Sequence, residues 1–272
     1  MRKINSTLYN KEYFQNAVEG YQDLNVFFKR MNPKFKKALS MARLSISEKV
    51  LDIGCGRGEM SIYAQKSGCE VVGIDYSQDA IDMCKELLEK SGVSDNPKIT
   101  FLHIDENHLP FSDDHFDVIF FLDVWEHIYP EQIAVLLKEF RRVLKKGGRL
   151  IIQTSPNKLF FEKGFPMYTY YFNYVINRFI FQPLVGRTIA RAQKNPRSEL
   201  ERVMHINEQT RFSLGRALSG EGFDATVEIS DYYIMFSSIK MFFYYLVAQP
   251  FYVPFFKDIF GEHIWAVAKK RC

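Results

Sequence analysis

Only four of the 272 residues are cysteine, Cys55, Cys69, Cys84 and Cys272, and no two of them stand in a C-x-x-C spacing. That lack argues against a zinc site and for a reduced intracellular setting. No apolar stretch follows the basic start Met1-Arg-Lys-Ile-Asn-Ser-Thr, so no signal peptide is expected and the protein is expected in the cytoplasm. The uncharged run from Met241 to Phe256 is short for a membrane span, and Pro250 and Pro254 interrupt it. There is no tandem repeat. The net charge is only +4 and the basic residues are spread along the chain, so nucleic acid is not an expected partner.

Aromatic residues are plentiful. The chain has 25 Phe and 15 Tyr, concentrated beyond Leu159. The length suits one large α/β domain with an appendage. The expected division is an N-terminal helical segment, 1–45, and a main domain, 46–272, that carries aromatic insertions at about 157–205 and 231–260.

The chain turns on Val50-Leu-Asp-Ile-Gly54-Cys-Gly56-Arg-Gly58, an apolar run ending in three glycines at alternate positions. It reads as a buried parallel strand followed by a sharp turn that brings backbone close to a ligand. A dinucleotide fingerprint would place its third glycine at position 59. Glu59 stands there instead, and its charge would meet a pyrophosphate. Asp52, just before the turn, suits a ligand with a positive ammonium and little negative charge, as on the methionine part of S-adenosylmethionine. The next strand, Glu70 to Asp75, ends in an acid able to accept from both hydroxyls of a ribose. Asp75 is expected at an exposed strand end, where its loss would leave the fold nearly intact.

With Gly73-Ile-Asp75-Tyr-Ser, Asp105 to Phe111, and Phe116-Asp-Val-Ile-Phe-Phe-Leu-Asp123, the sequence resembles the class I S-adenosylmethionine-dependent methyltransferases, especially their small-molecule and lipid-methylating members. The resemblance covers Lys49 to Asn157. It implies a Rossmann-like, doubly wound, seven-stranded and mostly parallel sheet with an antiparallel last strand. It further implies that S-adenosylmethionine is held by Asp52, Gly54, Cys55, Gly56, Gly58, Asp75, Tyr76, Asp105, Glu106 and Leu122. Asp105 takes the place of the acid that binds the adenine amino group.

Around this frame, apolar residues from Tyr13 to Phe28 recur at helical spacing, with a break near Asn32-Pro33. Relatives of this fold lay such a segment over the cofactor, so Tyr13 or Phe14 is a candidate contact, alongside plain coverage of the sheet. Ser77 reads as the N-cap of a helix to Lys90. A strand is expected over Lys98–Asp105, a helix over Pro130–Lys146 stopped by Gly147-Gly148, and strands over Arg149–Thr154, Phe223–Ile229 and His263–Ala268.

Candidate catalytic residues cluster after the fourth strand. Glu126 and His127 follow Asp123 within five residues, and His205 precedes Asn207-Glu-Gln-Thr-Arg211. Asp-x-x-Glu-His resembles the Glu-x-x-Glu-His metal motif of ubiquinone-type O-methyltransferases and of small-RNA 2′-O-methyltransferases. Asp123 is a shorter acid than that motif carries, and no metal is expected. The expected activity is methylation, chiefly of an oxygen, on an apolar or lipid-linked small molecule. An RNA ribose methyltransferase and a silent cofactor-binding subunit are the alternatives. The aromatic insertions read as a cap over a lipid-like acceptor, a peripheral membrane contact, a homodimer face, or simple core cover.

Overall fold

The structure, a computed structural model, describes residues 8–16, 31–92, 98–104, 108–166, 173–176, 178–179, 182–186, 197–230 and 254–271. Among them, seven strands form one sheet: β1 (Lys49–Ile53), β2 (Glu70–Asp75), β3 (Ile99–His103), β4 (Phe116–Leu122), β5 (Leu144–Thr154), β6 (Phe223–Ile229) and β7 (Ile264–Lys270). Their order is β3-β2-β1-β4-β5-β7-β6. The first five strands pair in parallel, and β7 runs antiparallel to both β5 and β6. This is the expected α/β sheet with its antiparallel last strand.

Alternation along the central strands supplies two cores, because successive strand residues point to opposite faces. Leu51, Ile53, Ile119 and Phe121 face one side, against Leu137 and Phe140 of α5 (Pro130–Val143) and Leu214 and Leu218 of α9 (Arg211–Gly220). Val50, Val118 and Phe120 face the other, against Phe35 and Ala38 of α2 (Pro33–Ala42) and Ile62 of α3 (Glu59–Lys66). With both faces covered, β1 and β4 carry near-continuous apolar runs.

Helix α2 starts where the sequence breaks. Asn32 Oδ1 accepts from Lys34 N at 2.8 Å, and Pro33 fills the first turn, where its missing N–H costs nothing. The short α1 (Lys11–Asn16) precedes it; Val18, Tyr21, Leu24, Phe27 and Phe28 lie outside the described residues. Ser77 caps α4 (Gln78–Lys90), accepting from Ala80 N.

One boundary differs from the expectation. The helix read to Lys146 ends at Val143, and Leu144 already pairs with Phe116. The register then shifts before Val118 meets Arg149. Gly147, at φ 78°, lets the strand bend, and Lys145 Nζ reaches Asp117 Oδ2 at 2.7 Å, so this run anchors a strand instead of ending a helix.

Chain direction puts the loops that matter on one edge. The strand order reverses between β1 and β4, which opens a crevice at their carboxyl ends. The segment 157–205 leaves the carboxyl end of β5. It holds a π-helical turn (Phe160–Gly164), α6 (Asn173–Ile176), α7 (Gln182–Val185) and α8 (Glu199–Met204). The segment 231–260 joins the end of β6 to the start of β7, and only α10 (Pro254–Phe260) and the residues after it are described. Because β7 is antiparallel to its neighbours, these ends meet at that same edge.

Candidate active site

The turn after β1 is tied to the end of β2. Gly54 N and Cys55 N both donate to Ile74 O, at 2.8 and 3.0 Å, and Gly56 N donates to Asp75 Oδ2 at 3.0 Å. Gly54, Gly56 and Gly58 all have left-handed backbones, with φ of 67°, 54° and 84°. A side chain at Gly54 would also place its Cβ 2.5 Å from Val124 Cγ2, so close approach as well as conformation demands glycine there.

Asp75 is buried, at 7% exposure, not at an exposed strand end as the sequence led us to expect. Gly56 N and Ser77 N each donate to one of its oxygens and draw it inward. Burial lifts its pKa to about 6. Asp52 is also buried and accepts from Ser61 Oγ at 2.6 Å; burial pushes its pKa up to about 7 despite that bond. Glu59, also buried, pairs with Arg57. Cys55 packs 3.7 Å from Cys84, and burial raises both thiols, which makes them packing groups rather than nucleophiles. Leu122 lies at the end of β4 in the second core. Asp105 and Glu106 lie outside the described residues.

After β4 the chain turns through Asp123, whose left-handed φ of 54° redirects it into a single 3₁₀ turn, Trp125–His127. Burial opposes ionisation of Asp123, yet the ammonium of Lys34 paired with it holds its carboxyl below the usual range. Glu126, 2% exposed, accepts from Thr154 Oγ1 at 2.7 Å and from Ser155 N at 3.4 Å. Burial first, and the Asp123 charge second, raise its pKa to about 8. Its backbone oxygen accepts from Ile206 N and Asn207 N, which draws residues 205–207 onto the turn. His205 is thereby brought to His127, with ring centroids 5.0 Å apart. His127 Nδ1 lies 3.3 Å from Met204 O; a carbonyl can only accept, so the proton sits on Nδ1 and the lone pair on Nε2. Burial, then the neighbouring His205, lowers its pKa to about 4, and burial lowers that of His205.

Two residues at the site carry no local sequence signal. Tyr9 stacks edge-on against Tyr76, at 5.2 Å, and against His127, at 5.6 Å, while its carbonyl accepts from Ser77 Oγ at 2.7 Å. Tyr13, one of the aromatic residues at helical spacing, packs on Tyr9 at 5.1 Å. Lys34 left no signal either, since its partner Asp123 is 89 residues away. Among the described residues no three His, Cys, Asp or Glu side chains are grouped to hold a metal ion. Asp123, Glu126 and His127 are instead turned to Lys34, Thr154 and Met204.

Residues 51–152 match a family model described as a methyltransferase domain. A demethylmenaquinone methyltransferase of Staphylococcus aureus (strain MRSA252) is 32% identical over 187 residues, 66% of this chain and 71% of that protein. One of Bacillus subtilis (strain 168) is 30% identical over 189 residues, 66% of this chain and 75% of that protein. The chain belongs to the class I S-adenosylmethionine-dependent methyltransferases. Among solved structures, a geranyl diphosphate methyltransferase in complex with GPP and sinefungin aligns with TM-score 0.54 at 17% identity, over 87% of this chain and 76% of that one, a likeness of fold.

The residues of this methyltransferase fit its cofactor. Asp75 stands at the carboxyl end of β2 with its oxygens fixed by backbone N–H groups of Gly56 and Ser77, a placement that would suit an acceptor for ribose hydroxyls. Two buried acids with raised pKa values beside a loop of left-handed glycines make a site that welcomes a cation, whose charge favours their ionised forms.

Proposed function

We propose that this methyltransferase modifies an oxygen of an apolar or lipid-linked small molecule, with Asp75 on the ribose, Asp52 toward the ammonium end of the cofactor and Asp105 on the adenine. When bound, S-adenosylmethionine supplies an electrophilic methyl group on a sulfonium, open to in-line displacement. One observation carries the assignment of the acceptor side. A single ring, Tyr9, spans Tyr76 beside the ribose acid and His127, and His205 lies against His127.

A hydroxyl acceptor gives up its proton as it is methylated. His127 is neutral at pH 7 and presents Nε2 as a lone pair, so it is the group that takes that proton. Glu126, its pKa raised to about 8, is protonated there and its side chain holds Thr154 and Ser155, while its backbone oxygen holds the 205–207 segment. The apolar character of the acceptor is supported by the aromatic insertions at this edge and by relatives named for demethylmenaquinone.

The test is transfer of labelled methyl from S-adenosylmethionine into fractionated extract. Label is expected in the organic-soluble fraction, and label confined to RNA would overturn the reading. His127→Ala is expected to lower kcat by about 10²-fold with unchanged cofactor affinity. An unaltered kcat in both His127→Ala and His205→Ala would remove the imidazoles from the chemistry.

A further inference from the structure

The run Asn207-Glu-Gln-Thr-Arg211 leads, hydrogen bond by hydrogen bond, from the start of α9 to the 3₁₀ turn that carries His127. Thr210 and Ser213 close a capping box on α9, each side chain accepting from the other's backbone N–H. The Ser213 hydroxyl donates to Gln209 Oε1 at 2.7 Å. An amide oxygen can only accept, so Gln209 turns its Nε2 toward Asn207 and donates to Oδ1 at 2.7 Å and to the backbone oxygen at 3.0 Å. With its Oδ1 so occupied, Asn207 aims Nδ2 the other way and donates to Ile128 O at 3.0 Å.

Ile128 directly follows His127, so the amide ends beside the imidazole. The backbone of the same segment holds the turn again, since Ile206 N and Asn207 N donate to Glu126 O at 2.9 and 3.1 Å. Residues 206–207 are thereby fixed to Glu126 and Ile128, the neighbours of His127 on either side. Met204 stands just before this segment, and its carbonyl lies 3.3 Å from His127 Nδ1. Its side chain is 1% exposed, packed with Tyr9, Phe14 and Met83, while 206–207 hold the chain on the other side of that carbonyl. The contact has little slack, because beyond about 3.5 Å an N–H···O pair is no longer a hydrogen bond. The partner of one imidazole nitrogen decides which nitrogen carries the proton. A proton on Nε2 would remove the lone pair that a base needs.

We infer that Asn207 is a positioning residue: its amide registers Met204 O on His127 Nδ1 and so keeps the lone pair on Nε2. This rests on the reading of His127 as the base for its purpose, but the tautomer can be read without any acceptor.

Nitrogen NMR of the full-length protein, labelled at its six histidines, reports the tautomer, with the His127 signals identified by their loss in His127→Ala. In the wild type the proton is expected on Nδ1. In Asn207→Ala, and in Gln209→Met, which lacks the amide donor, a shift toward the Nε2–H form is expected. His115, whose Nδ1 meets Ser112 Oγ at the amino end of β4, should not change. Calorimetric affinity for S-adenosylhomocysteine, the demethylated cofactor, should match the wild type, which shows the variants folded. Transfer of labelled methyl into the organic-soluble fraction should fall about 10-fold, less than in His127→Ala. Gln209→Met carries the test if Asn207→Ala does not fold. A His127 tautomer unchanged in the folded variants overturns the inference, as does a wild-type His127 protonated on Nε2. A shifted tautomer with full transfer keeps the positioning role and sinks only the base reading. Reduced transfer with an unshifted tautomer sinks the positioning role and leaves the base.

Discussion

Asp75 accepts from two backbone N–H groups and is proposed here to hold the ribose, so its replacement acts twice. Asp75→Asn keeps the shape and loses the charge, and we expect cofactor affinity to drop by about 10- to 100-fold in a calorimetric titration, the loss of charge-assisted hydrogen bonds. Asp75→Ala also orphans the Gly56 and Ser77 amides, at about 1–3 kcal/mol each, and should lower the melting temperature as well. An unchanged affinity in Asp75→Asn would remove the ribose role. Glu126 makes a different prediction. Its pKa is raised above that of the unfolded chain, so the fold favours its protonated form. The stability it contributes is present below about pH 4.5 and is lost as the pH rises through about 8. Glu126→Gln cannot titrate, and its urea midpoint should fall less than that of the wild type between pH 5 and pH 9. Equal slopes would show that Glu126 does not carry its proton into the neutral range.

At the level of elements, the site is held by pieces distant in the chain. Helix α2 reaches the crevice through Lys34, whose ion pair with Asp123 pins the turn after β4. Lys34→Met leaves that carboxylate unpaired. Asp123 is one-third exposed, so water relieves part of the cost, and we expect a loss of about 1–3 kcal/mol in urea unfolding. Lys34→Met with Asp123→Asn should recover much of it, because Asn also tolerates the left-handed backbone and brings no charge. No recovery would mean that the pair matters for something other than its charges. The segment 8–16 is docked in the same manner, by Ser77 Oγ on the Tyr9 carbonyl and by Lys11, which reaches Glu86 and Asp79 of α4.

The whole molecule gathers at one sheet edge the glycine turn, the acid of β2, the turn after β4 and the bases of both insertions, because strand order reverses between β1 and β4 and β7 returns antiparallel. Local chemistry made most of this legible from sequence. Glycines at 54, 56 and 58 need no partner to demand a left-handed turn, the alternating apolar residues of β1 and β4 need only a sheet with two covered faces, and Ser77 caps its helix through neighbouring atoms. What sequence missed depends on atoms far apart in the chain. The burial of Asp75 comes from a loop 19 residues earlier, the Lys34–Asp123 pair spans 89, and the meeting of Tyr9, His127 and His205 takes the closure of three separate segments. The helix read past Val143 failed for the same reason, since only the pairing of Leu144 with Phe116 turns that run into strand. Sequence alone therefore determined the methyltransferase fold and its left-handed glycine turn, which rest on short-range conformational demands. Tertiary structure alone decided which acids are buried, which bases stand together and which apolar side chains stay in water, because desolvation and charge pairing are set by neighbours that only folding supplies.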